Sequence, residues 1–174
     1  MVQDWPNKKE REEFEINKFV KFYEPGGRSF KVVRRGDSHF AGPDYIVQDA
    51  KTGENFGVEL VSVYLGNRSV PDVHKKVISS NDLMMIPCET HKIEEYEKRI
   101  LESVAEKIRK VEEYDKGFPL IMSVYVNEYI SIFMDEKSFQ RLVSTNENLF
   151  DGIAPFSEIV FWPLPNGVVF SVKP

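Results

Sequence analysis

The chain has 174 residues, 41% hydrophobic and 13% aromatic, with thirteen Phe. That is too apolar for a disordered segment, and the length suits a single domain over 1–174 with a sizeable core. The formal net charge of −5 argues against tight, general binding to nucleic acid, which draws on a basic surface, but leaves room for a local basic face. No window approaches the roughly eighteen apolar residues of a membrane-crossing helix. The opening MVQDWPNKKEREEFE lacks the basic-then-apolar order of a secretory signal. Cys88 is the sole cysteine, so no intrachain disulfide can form, and a reducing, cytoplasmic setting is the expectation.

Asn7 to Tyr23 reads as a helix, because Ile16, Phe19, Val20 and Tyr23 recur at helical spacing among charges. Pro25-Gly26-Gly27 stops it. Ser29 to Arg35 reads as a strand, and Gly36 to Pro43 as a polar loop carrying His39. Tyr45-Ile46-Val47 and Phe56 to Leu65 are β-prone runs around the turn-forming segment 49–55, which predicts a hairpin. On its second strand Val58, Leu60 and Ser62 share one face, and Gly57, Glu59, Val61 and Val63 the other. Segment 66–90 gives no clear pattern beyond a short helix at Val73 to Ser79. Lys92 to Tyr114 is a long helix with an apolar stripe of Ile93, Tyr96, Ile100, Val104, Ile108 and Val111, and Lys107 lies on that stripe. Leu120 to Val126 is apolar enough for a central strand covered on both faces. Asp135 is placed to cap a helix through Phe139, Leu142 and Val143. Glu158 to Trp162 and Val168 to Val172 read as a closing hairpin. The expected order is helix, three strands, helix, strand, helix, two strands: an α/β fold with a mixed sheet flanked by helices.

Glu59 stands out as a carboxylate among apolar strand neighbours. If Asp49 lies near Phe56 across the turn, antiparallel pairing sets Asp44 opposite Val61, with Glu59 a diagonal neighbour on the same face, roughly 7–8 Å away. Two hard oxygen ligands with open water positions suit Mg²⁺. The run Gly42-Pro43-Asp44-Tyr45-Ile46-Val47, followed by Gly57-Val58-Glu59-Leu60-Val61, resembles the hairpin of the PD-(D/E)XK nuclease superfamily over roughly residues 12–126. The resemblance implies a restriction-endonuclease-like fold and a phosphodiester hydrolase acting on DNA or RNA. It also implies Mg²⁺ or Mn²⁺ held by Asp44 and Glu59. The lysine of that pattern would stand at Val61, which carries no charge. Two explanations stay open. Lys107 supplies the charge from the long helix, since a lysine on a buried stripe needs a carboxylate or a wet pocket. Alternatively, the site is inactive and the fold serves protein binding or regulation, with a second copy or another protein as partner and Phe161-Trp162 as an exposed aromatic surface. The first helix of such folds often adds an acid; Glu15 is the candidate and Glu12 its rival.

Other residues carry weaker readings. His39 is a loop histidine near Asp44. Lys31, Arg34 and Arg35, with Lys75 and Lys76, would form a phosphate-binding face. Cys88, His74 and His91 match no zinc spacing.

Overall fold

The computed structural model describes residues 8–23, 28–37, 41–63, 90–111, 117–126, 134–164 and 168–174. His39, His74, Lys75, Lys76, Cys88 and the helix expected at Val73 to Ser79 lie outside them.

The architecture is a six-stranded mixed sheet flanked by helices, as the alternating patterns predict. Helix α1 (Lys8–Tyr23) leads into β1 (Phe30–Arg35), β2 (Tyr45–Asp49) and β3 (Asn55–Val63). Helix α2 (Thr90–Val111) then carries the chain to β4 (Leu120–Val126). Helices α3 (Glu136–Ser144) and α4 (Glu147–Phe150) precede β5 (Phe156–Trp162) and β6 (Phe170–Val172). The strands lie in the order β1-β2-β3-β4-β5-β6. The first three are antiparallel, β3, β4 and β5 run parallel, and β6 returns antiparallel. A parallel pair needs a long crossover, and α2 lies within the β3-to-β4 one.

The period-2 alternation of the central strands sorts the core into two halves. On one face Val61, Val63, Met122, Val124, Ile159 and Phe161 pack beneath the α2 stripe of Tyr96, Ile100, Val104, Ile108 and Val111. On the other, Tyr45, Val47, Val58, Ile121, Tyr125 and Trp162 pack beneath Ile16, Phe19 and Tyr23 of α1. Every residue of β4 is buried, which accounts for its unbroken apolar run. The Asp135 side chain accepts from the Ser138 N–H at 2.9 Å and caps α3 as expected.

Two expectations are corrected. Phe161 and Trp162 are fully buried. Phe161 packs on Phe139, Phe150 and Phe170, and the Trp162 indole donates to the Ser123 hydroxyl at 2.7 Å. They form no exposed aromatic surface, because β5 lies inside the sheet with both faces covered. The hairpin register also differs: Tyr45 pairs with Val58 and Val47 with Phe56. Asp49 closes on Glu54 instead of Phe56, because its backbone carbonyl accepts from the Gly53 N–H and its carboxylate from the Lys51 N–H. Gly53 takes a positive φ of 74°, which a residue without a Cβ adopts at little cost. The shift is an even number of residues, so each side chain keeps its face.

Candidate active site

The short hairpin turn fixes where the two acids fall. With Tyr45 opposite Val58, the chain before β2 delivers Asp44 alongside Glu59 on the α2 face of the sheet. Two glycines hold this approach. The Gly36 N–H donates to the Asp44 carbonyl at 2.7 Å, and a Cβ on Gly36 would lie 1.8 Å from the Pro43 carbonyl oxygen. A Cβ on Gly57 would lie 2.8 Å from the Pro43 ring and 2.6 Å from Leu120. Pro43 therefore seats on the bare backbone of β3, and Asp44 follows it. The Asp44 carboxylate then accepts from the Leu60 N–H at 2.9 Å.

Glu59 is 0% exposed, in a strand flanked on both sides. A buried carboxylate needs a charged partner. That partner is Lys107, whose Nζ stands 2.5 Å from Glu59 Oε2 and 3.8 Å from Asp44 Oδ2. Helix α2 runs antiparallel to β3, which explains the meeting. Near the start of α2 the Tyr96 hydroxyl donates to the Val63 carbonyl at 2.7 Å. From Tyr96 to Lys107 the helix advances about 17 Å, and from Val63 back to Glu59 the strand covers about 13 Å. The flexible lysine stem spans the remainder. Burial by itself lowers the affinity of the Lys107 amine for its proton. The charges of Glu59 and Asp44 outweigh that and raise its pKa above the ordinary lysine value. Lys107 is thus a fixed cation in the physiological range.

Val61, the position of the absent lysine, is 7% exposed and packs in the apolar cluster under α2. Asp44, Glu59 and Lys107 come together from a loop end, a strand and a helix. Glu15 does not join them. It lies on the α1 face, where it accepts a hydrogen bond from the Ser62 hydroxyl. Burial is the main cause that pushes its carboxyl up to about 7; the Ser62 bond and Arg11 pull the other way. Glu12, its rival, pairs with Arg35 and, at 3.4 Å, with Lys8. Lys31, Arg34 and Arg35 are exposed on the outer strand β1.

The donor set fits a hard divalent ion. Asp44 and Glu59 present carboxylate oxygens on one face, and their oxygens near Lys107 are no farther apart than its two contact distances combined. The Asp44 side chain is 28% exposed, which gives water access. Among the described residues no group of three or more His, Cys, Asp or Glu side chains is placed to hold a metal. Mg²⁺ is commonly held by one or two carboxylates with waters and substrate oxygens, so a full protein cage is not required.

Sequence reasoning did not single out Gly36, Ser62 or Arg11. The Gly57 of the hairpin run was visible, but its contact with Pro43 depends on the register. No family model matches the chain, and no curated protein does. Among solved structures it is similar to SfsA of Pyrococcus furiosus in complex with Ca²⁺, at 13% identity and a TM-score of 0.33. The match covers 92% of this chain and 62% of that one, so the chain spans less than two thirds of that protein's length.

Proposed function

We propose that this chain is a metal-dependent phosphodiester hydrolase of the PD-(D/E)XK type, acting on nucleic acid, with its charge-stabilising lysine supplied by α2. The observation that carries the reading is the convergence of Lys107 on Asp44 and Glu59. Asp44 and Glu59 would hold Mg²⁺ or Mn²⁺, which when bound supplies a polarised phosphoryl oxygen and a more acidic water. The residues of the chain do the rest by position. Asp44 offers the more exposed carboxylate, the one open to water and to a substrate phosphate on this reading. Glu59 sets its carboxyl beside Lys107 in a dry setting, where electrostatic interactions are strong. Lys107, already protonated and oriented, is placed to offset the charge that grows on the phosphoryl oxygens. Glu15 sits across β3 and acts on this reading as a neighbour of the site.

A second reading has one observation in its favour. The Lys107 ammonium already neutralises Glu59 at 2.5 Å, so the trio also works as a closed ion pair pinning α2 to the hairpin in a non-catalytic scaffold. Calorimetric titration of Mn²⁺ into the parent, D44A and E59A separates the two, with cleavage of DNA and RNA oligonucleotides as readout. The enzyme reading expects Mn²⁺ binding in the parent that both variants lose, and cleavage that K107M loses with them. Absence of Mn²⁺ binding in a folded parent leaves the scaffold reading standing.

A further inference from the structure

Across β3 from the acids, a cleft of about 180 Å³ opens between α1 and the strand, lined by Lys8, Arg11, Glu12, Glu15, Leu60 and Ser62. Helical spacing puts Lys8, Arg11, Glu12 and Glu15 on one side of α1, and the alternation of β3 turns Leu60 and Ser62 toward them. The Arg11 Nε–H is buried and meets no acceptor among the described residues. A buried donor without an acceptor is costly, and an incoming oxyanion removes that cost. The two carboxyls of the cleft do not oppose an anion as strongly as their count suggests. Glu12 is neutralised by Lys8 at 3.4 Å and by Arg35. Glu15 takes the Ser62 hydroxyl bond, and its burial favours the neutral acid. With Glu15 neutral, Glu12 is the cleft's one charged carboxylate against Lys8 and Arg11, and Arg35 shares in balancing it from β1, so the cleft keeps a positive balance.

We propose that this cleft is a phosphate subsite, in which Arg11 Nε–H and the Lys8 ammonium hold the oxygens of a phosphate group. It rests on the nuclease-like reading in one respect: a polynucleotide backbone is then the source of that phosphate. A guanidinium suits the role because its planar fork matches phosphate oxygens.

The test follows the Arg11 Nε–Hε resonance of the full chain by NMR, assigned by comparison with R11K, as inorganic phosphate or an oligothymidylate is added. A saturable shift with both is expected. R11M should weaken oligothymidylate binding by about tenfold and lower its salt slope by about one. A shift with phosphate alone keeps the subsite and assigns it to a free phosphate compound. No shift with either overturns the proposal, even if the oligonucleotide binds elsewhere, and leaves the proposed hydrolase intact. An Arg11 response in a protein that binds no Mn²⁺ keeps the subsite and sinks the hydrolase. These arms use the parent protein, so they hold whether or not R11M folds.

Discussion

Lys107 and Glu59 form the pair whose removal is most informative. K107M keeps the stem volume but leaves the buried Glu59 carboxylate without its cation, and should cost about 3 kcal/mol in urea unfolding at neutral pH. E59L/K107M should recover most of that loss, because an apolar pair avoids desolvating both charges. Simple additivity of the two single variants would show that the pair is not coupled. Gly57 makes the opposite kind of prediction. Alanine would ordinarily help a strand, but here its Cβ meets Pro43 and Leu120. G57A should cost about 1–3 kcal/mol by overpacking, measured by the same unfolding experiment.

Helix α2 decides why the expected lysine is not at Val61. That position faces the apolar stripe of Tyr96, Ile100 and Val104, where an ammonium would be nearly dry and the neighbouring Glu59 is already paired with Lys107. V61K should lower stability by more than about 2 kcal/mol in thermal or chemical unfolding and should not restore function to K107M. Stability equal to the parent would mean that α2 yields easily at this point. Much of this was legible in the sequence. The helical period of Tyr96, Ile100, Val104 and Ile108 gave the buried stripe, and Lys107 broke it visibly. The period-2 pattern of β3 gave the faces of Glu59 and Ser62 correctly. The hairpin register was misread because turn length, set by the Asp49 side chain and the positive φ of Gly53, is a matter of two or three local hydrogen bonds. Phe161 and Trp162 were misread because aromatic residues look alike in sequence whether their strand lies inside the sheet or at its rim. Placement of α2 against β3 has no local signal at all, since it depends on packing between segments far apart in the chain.

At the scale of the whole molecule, burial of Glu15 makes stability depend on pH. Its carboxyl titrates near 7 in the folded protein against 4.5 for the ordinary group. The folded state therefore holds a proton that the unfolded state releases, and this contribution is complete below about 4.5 and fades as pH rises through about 7. E15Q, permanently neutral, should match the parent at low pH and exceed it by about 3 kcal/mol above pH 7. Denaturant titrations of both proteins across that range measure the difference, and a constant gap would disprove the assignment. The sheet itself carries one more consequence. Strand β3 is the seam where an antiparallel hairpin meets a parallel array, and backbone pairing with β2 extends only to Tyr45 opposite Val58. The next rung on that side is supplied by a side chain, the Asp44 carboxylate receiving the Leu60 N–H. Asp44 thus stands in for a peptide carbonyl as well as carrying charge. D44N preserves an acceptor oxygen and D44A does not. The asparagine variant should unfold at nearly the parent's denaturant midpoint while losing Mn²⁺ affinity, whereas the alanine variant loses both, so a single pair of substitutions separates carpentry from chemistry at one residue.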